Sequence, residues 1–237
     1  MIHHVQKGIK KAWARVTLIS VEVIVLLAAF FAALMVFVLV ARMIFVDKRQ
    51  DLDDNVFNFL SKHISDVNTG LMQVFSFLGS HYFLIPANLG LVTYFLVTKK
   101  YRWYSITVPV ISLSSLLLMF ILKQFFHRQR PLIPLLQQAR GLSFPSGHAL
   151  MSSTFYGLLI YLAWKKIKNN LTRTLIMISL LVLIFAIGLS RIYLRVHYAS
   201  DVIAGFSLGL VWLSLSLFIL SRIERISRRE IDLAVEK

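Results

Sequence analysis

Residues 16–46 read VTLISVEVIVLLAAFFAALMVFVLVARMIFV, with Glu22 and Arg42 its only acid and base. A bilayer crossing takes about 20 apolar residues at about 1.5 Å rise each, so the block exceeds one crossing. Lys7, Lys10, Lys11 and Arg15 precede it. A signal peptide starts similarly, but its apolar region is shorter and ends at small residues. The block reads as an uncleaved membrane span.

Five further stretches qualify or nearly qualify: Leu71–Thr98, Trp103–Leu122, Ser146–Trp164, Leu171–Ser190 and Val202–Ser221. The fourth and fifth spans of the six are near the short limit, which tilt or local thinning accommodates. The chain of 237 residues is 57% hydrophobic with mean hydropathy +0.72, above what a soluble domain carries. The fold class expected is an all-α membrane protein, a six-transmembrane-helix bundle forming one membrane domain over residues 1–237. Leu52, Val56, Phe59, Leu60 and Val67 recur at helical spacing between the first two spans. They predict a short outer-surface helix, read as a lid over the bundle. Gly205 and Gly209 form a small-xxx-small pair for close helix packing; His81 and Pro86 read as structural.

The formal net charge is +15, and there is no cysteine. Disulfides, thiol-ligated metals and cysteine nucleophiles are thereby excluded. A basic balance can signal nucleic acid, but these cations sit at the edges of apolar blocks, where they set topology. With six crossings, fifteen of the 26 Lys and Arg fall on one side, among them Lys99, Lys100, Arg102, Lys165, Lys166, Arg173, Arg222 and Arg225. That side is expected to be cytoplasmic, with both termini inside. Size and simplicity suggest a bacterial plasma membrane. The opposite, outer side mixes its basic residues with Asp47, Asp51, Asp53, Asp54 and Asp66.

Three polar segments interrupt the apolar pattern on that outer side: Lys123 to Pro131, Phe144 to His148, and Ser190 to Asp201. Ionisable groups at membrane depth are expensive and point to function. Snorkelling explains one Arg at a helix end, but not three converging segments of this mix. Lys123, Arg130 and Arg191 are cations suited to phosphate oxygens, a task often given to magnesium in phosphoryl transfer. No carboxylate cluster with magnesium spacing lies on this side, which argues for a metal-free, cofactor-free site. Ser146 can cap a helix whose free N–H groups bind an anion, and Gly147 lets backbone approach a ligand. His148 is placed to donate a proton to a leaving oxygen. His197 and Asp201, four apart, share one helical face; the carboxylate can hold one imidazole nitrogen and free the other to attack.

Lys-x6-Arg-Pro, Pro-Ser-Gly-His and Ser-Arg-x5-His-x3-Asp, in this order and without substitution, resemble the three-part signature of the type 2 phosphatidic acid phosphatases, which are related to vanadium-dependent haloperoxidases. The resemblance covers about residues 71–221, taken as the phosphatase core. It implies that Lys123, Arg130, Arg191, Ser146 and Gly147 hold phosphate, and that His148 is the general acid. His197 is implied as the nucleophile forming a phospho-histidine, with Asp201 orienting it. Arg195 is a candidate headgroup contact or brace. Gln137, Gln138 and Arg140, in the outer segment Leu132–Leu142, are candidate headgroup contacts.

The activity expected is hydrolysis of the terminal phosphate of a membrane lipid: undecaprenyl pyrophosphate, phosphatidylglycerol phosphate, phosphatidate or lipid A. The partners are the lipid substrate and the bilayer, with no nucleic acid and no obligate protein partner. Two alternatives stay open at this point. A lipid phosphotransferase would use the same phospho-histidine. A non-enzymatic lipid-binding or transport protein would need only the cations.

Overall fold

The computed structural model describes residues 2–98, 102–135 and 141–235 and, within them, the side chains of residues 21 and 23–227. Gln137, Gln138 and Arg140 lie outside the described residues, as do Lys99, Lys100 and the side chains of Lys7, Lys10, Lys11 and Arg15.

Among the described residues eight helices follow one another: α1 (Ile2–Phe45), α2 (Asp51–Ser61), α3 (Asp66–Leu78), α4 (His81–Val97), α5 (Tyr104–Phe126), α6 (Gly147–Lys166), α7 (Asn170–Tyr193) and α8 (Ala199–Val235). The chain is all-α among the described residues. Phe31 and Met35 on α1, Leu113 and Leu117 on α5, and Leu175 and Val182 on α7 are exposed. Apolar surface of this extent on several helices is a lipid-facing belt.

Among the described residues, length and apolar content suit four helices for crossing a membrane: Val23–Phe45 of α1, α5, α7 and Ala199–Ser227 of α8. The α3–α4 pair, bent by 42°, makes a fifth if taken as one span. The fourth expected span, α6, is not apolar enough by that measure. It packs against α5, α7 and α8, so little of it needs an apolar exterior. Ser152, Ser153 and Thr154 are buried on it and return their hydroxyls to the carbonyls of Ala149 and Leu150.

Glycines set the α6–α8 approach, as the small-xxx-small pair suggested. A Cβ on Gly205 would stand 2.7 Å from the Ser146 carbonyl oxygen and 2.8 Å from Ala149 Cβ. One on Gly209 would stand 2.8 Å from the Leu150 carbonyl oxygen.

The second span departs from expectation. Leu71–Thr98 read as one run, but the chain breaks at Gly79–Ser80, where Ser80 is extended. A Cβ on Gly79 would collide with Ile187 and come within 3.4 Å of His148 Cδ2. The break lies where α7 and the first turn of α6 press in.

The short helix before it is α2, with Asp51, Asp53 and Asp54 in its first turn, where carboxylates favour the helix dipole. It packs on α7 and α8, and Asp53 is buried rather than solvated.

Candidate active site

Four helix ends converge: the C-termini of α5 and α7 and the N-termini of α6 and α8. α5 stops at His127, whose φ of 49° is left-handed. Lys123, in its last turn, donates to the Leu142 carbonyl at 2.6 Å. The returning strap Ser143–Ser146 is held by Phe144, fully buried against Phe37, Phe45 and Phe126 at ring-centroid distances of 6.0, 5.2 and 4.8 Å. The Ser146 N–H donates to the Asp201 carbonyl at 3.0 Å, tying this strap to α8.

α7 ends in a turn made by Arg195, which adopts φ 55° where glycine is usual. The N–H groups of Val196 and His197 both donate to the Arg191 carbonyl at 3.2 Å. This six-residue closure delivers His197, 1% exposed, beside Asp201 at the start of α8.

The donors around His197 decide its tautomer. Arg130 Nη1 is 3.2 Å from Nε2. A guanidinium can only donate, so Nε2 is the acceptor and the proton sits on Nδ1. Nδ1 faces Ser143 Oγ at 3.3 Å and Asp201 Oδ2 at 3.5 Å. Ser143 Oγ in turn donates to Asp201 Oδ2, as does the Tyr198 N–H at 3.0 Å. The imidazole is thus oriented through Ser143 as well as by Asp201. Burial outweighs the pull of Asp201 and, helped by Arg130 and Lys123, lowers the His197 pKa to about 3. The ring is neutral at physiological pH, the state in which an imidazole nitrogen can act as a nucleophile. Arg130 is itself lowered by burial, which Asp201 opposes, and it remains a cation. It also donates to the carbonyls of Val196 at 2.7 Å and Gly141 at 3.0 Å.

Ser146 occupies the N-cap position of α6, but its side chain makes no cap bond. Its Oγ is buried with no hydrogen-bond partner, and so is Nε of Arg191. Arg191 donates from Nη1 to Ser76 Oγ. Gly147 serves packing: a Cβ there would meet Met119 Sδ at 2.6 Å. His148, half-buried in the first turn of α6, lies in the field of the Arg191 and Arg130 cations.

His148 also borders an apolar cleft of about 590 Å³ between α4 and α5, with His81 at the same end and Leu84, Leu89, Leu113 and Phe120 along its walls. Arg195 makes no contact with the His197–Asp201 pair among the described hydrogen bonds. It lines a second pocket of about 260 Å³ with Arg130, Leu132 and Gly141.

Sequence reasoning missed Asp53, Ser76, Arg128, Ser143 and Ser200. Arg128 lies inside the Lys-x6-Arg-Pro segment, and its place there was the available signal. Asp53 carried none, because an acid in an amphipathic helix reads as solvated.

Residues 103–225 match the PAP2 superfamily. Phosphatidylglycerophosphatase B of Bacillus subtilis (strain 168) is 30% identical over 149 residues, which are 62% of this chain and 71% of that protein. Dolichyldiphosphatase of Saccharomyces cerevisiae is 35% identical over 89 residues, 36% of this chain and 37% of that protein. The crystal structure of a transmembrane PAP2 type phosphatidylglycerolphosphate phosphatase from Bacillus subtilis aligns with TM-score 0.74 at 25% identity, covering 81% of this chain and 96% of that one. Aquifex aeolicus LpxE aligns with TM-score 0.54 at 27% identity, covering 69% and 93%. With the signature residues gathered at one end of a helical bundle and more than half the chain matched, this protein belongs to the PAP2 superfamily and is a multi-pass integral membrane lipid phosphatase of that metal-independent family.

Proposed function

We propose that this chain releases the terminal phosphate of a membrane lipid phosphate or pyrophosphate through a phospho-histidine on His197. Among the described residues three buried side-chain polar atoms have no partner: Ser80 Oγ, Ser146 Oγ and Arg191 Nε. The observation that carries the reading is that two of them, on Ser146 and Arg191, belong to the signature segments. Leaving a buried donor unsatisfied costs about 1–3 kcal/mol, a cost that phosphate oxygens offset.

In this reading Lys123, Arg130, Arg191, Ser146 and the Gly147 N–H hold the phosphoryl oxygens. As Arg130 turns its N–H to phosphate, the Nε2 lone pair it now occupies is released toward phosphorus. The P–N bond forms as the P–O bond to the lipid breaks, and His148 donates the proton to the departing oxygen. Asp201 stabilises the imidazolium. Water, deprotonated by His148, then cleaves the P–N bond and frees phosphate.

The apolar cleft beginning at His148 supports a substrate with hydrocarbon chains. Undecaprenyl pyrophosphate, phosphatidylglycerol phosphate, phosphatidate and lipid A all fit that class. The proposed arrangement has six spans, with α3–α4 as one and α6 as another, a phosphatase core at about 71–221, both termini cytoplasmic and the site at the outer headgroup layer. Lys165, Arg173 and Arg222 support it, lying on helix segments at the end away from the site.

The test measures phosphate release by purified protein across those four lipids in chelator. Release from at least one, lost in His197→Ala, is expected. Full activity in His197→Ala would end the reading. Transfer of labelled phosphate to an acceptor lipid instead of water would convert it to a phosphotransferase.

A further inference from the structure

Behind Asp201 lies a buried ion chain that reaches a different part of the fold. Arg128 Nη1 donates to Asp201 Oδ1 at 2.7 Å, and its Nη2 donates to Asp53 Oδ2 at 2.8 Å. Asp53 on α2 is 1% exposed, Asp201 on α8 is 0% exposed, and the Arg128 side chain is 11% exposed. Ser200 closes the loop. Its N–H and Oγ donate to Asp53 at 2.8 and 2.6 Å, and its Oγ accepts from Arg128 Nη1 at 2.7 Å. The guanidinium lies over the Tyr198 ring, 4.1 Å from its centroid.

A buried ion pair is poor evidence of stability, because desolvation offsets attraction and apolar residues would pack as well. Three buried charges here call for another reason, and two are visible. The first is geometric. Asp201 Oδ2 faces the Tyr198 N–H, Ser143 and the imidazole, so only Oδ1 is left to fix the carboxylate's rotation. Arg128 fixes it, and the fork of Arg128 is fixed in turn by Asp53. The second is electrostatic. A lone Arg128 would cancel the Asp201 charge. With Asp53 sharing the guanidinium, two carboxylates flank one cation, and the Asp53–Arg128–Asp201 group keeps one net negative charge on the Nδ1 side of His197. That charge stabilises the ring as it becomes cationic on attack.

We propose that Asp53 and Arg128 are positioning residues for the His197–Asp201 pair, which makes α2 part of the reaction machinery. The proposal rests on the phospho-histidine reading above.

The experiment measures kcat and KM for phosphate release from dioleoyl phosphatidate and phosphatidylglycerol phosphate in detergent micelles. Arg128→Gln, Arg128→Lys and Asp53→Asn are made in the wild-type and Asp201→Ala backgrounds, with labelled phosphate for the slow variants. In the wild type, Arg128→Gln and Asp53→Asn are expected to lower kcat about 10–100-fold, as loss of residues that orient a functional His does, with little change in KM. Arg128→Lys should recover part, since an ammonium can neutralise but not fork. In Asp201→Ala the same substitutions should change the residual kcat less than about twofold, because groups acting through one residue are not additive. Equal fold-losses in both backgrounds, or wild-type kcat in Arg128→Gln and Asp53→Asn, would overturn the proposal. A thermal midpoint in detergent reports folding separately. Should Arg128→Gln fail to fold, the near-isosteric Asp53→Asn decides. Activity surviving in His197→Ala sinks the phospho-histidine reading itself. An inactive His197→Ala beside a fully active Arg128→Gln sinks only this one.

Discussion

The guanidinium of Arg130 covers Nε2 of the His197 imidazole, with Nη1 3.2 Å away. Under the proposed function Arg130 would serve twice, guarding the lone pair before substrate arrives and taking phosphate afterwards. Arg130→Lys should lose the fork that reaches the Val196 and Gly141 carbonyls, and kcat/KM should fall by about 100-fold. Steady-state kinetics that show wild-type kcat/KM in this variant would contradict the dual role.

The His197 pKa of about 3 sets a pH expectation. In the unfolded chain the ring takes up a proton below its ordinary 6.5, whereas in the folded protein it stays neutral until about 3. His197 thus subtracts stability progressively as pH falls through that window, and subtracts nothing above it. The His197 ring nitrogens, followed by NMR with labelled histidine, should not titrate between pH 5 and 8. A titration near 6.5 would contradict the burial that lowers the pKa.

Ser146→Ala separates stability from activity. Its hydroxyl is buried without a partner, so removing it should leave the melting temperature unchanged or raise it, by about 1 kcal/mol at most. Phosphate release should drop about 10²-fold with loss of one donor to the transferring group. A stability loss with normal kinetics would assign the serine to the fold instead.

Gly205→Ala tests the α6–α8 approach. The new methyl has the Ser146 carbonyl oxygen at 2.7 Å and must push α6 away. A loss of about 1–3 kcal/mol is expected, together with a loss of activity, because Ser146 moves too. Gly90→Ala, with open space at its Cβ, should instead gain about 0.5–1 kcal/mol through helix propensity. Detergent melts of the two variants give the comparison.

The absence of cysteine makes orientation easy to read. Leu132→Cys, 90% exposed in the parent residue beside the site, should react with a membrane-impermeant maleimide in intact cells. Asn170→Cys at the other end of the bundle should react only after lysis. The reverse pattern would invert the topology.

Much of the site was legible because its residue types are rare in apolar sequence. Lys123, Arg130, His148, Arg191, His197 and Asp201 stand out for that reason, and the structure brings them to one bundle end. Partners distant in sequence were not legible. Asp53 sits in a helix whose acids look solvated, and only folding sets Arg128 against it. The break at Gly79–Ser80 was marked only by Gly79-Ser80-His81, a short polar interruption in an otherwise apolar run, and Ile187 and His148 from other helices crowd Gly79 there. Ser146 was expected to cap α6, and it holds the cap position while its hydroxyl stays free of the helix.

The enclosure of α6 has a consequence for biogenesis. A segment carrying Ser152, Ser153, Thr154 and His148 gains little by entering lipid alone as it leaves the ribosome. It becomes favourable only when α5, α7 and α8 are present to surround it. The segment bearing Ser146, Gly147 and His148 should therefore be the last to settle, so that assembly of the bundle and completion of the candidate site are one event.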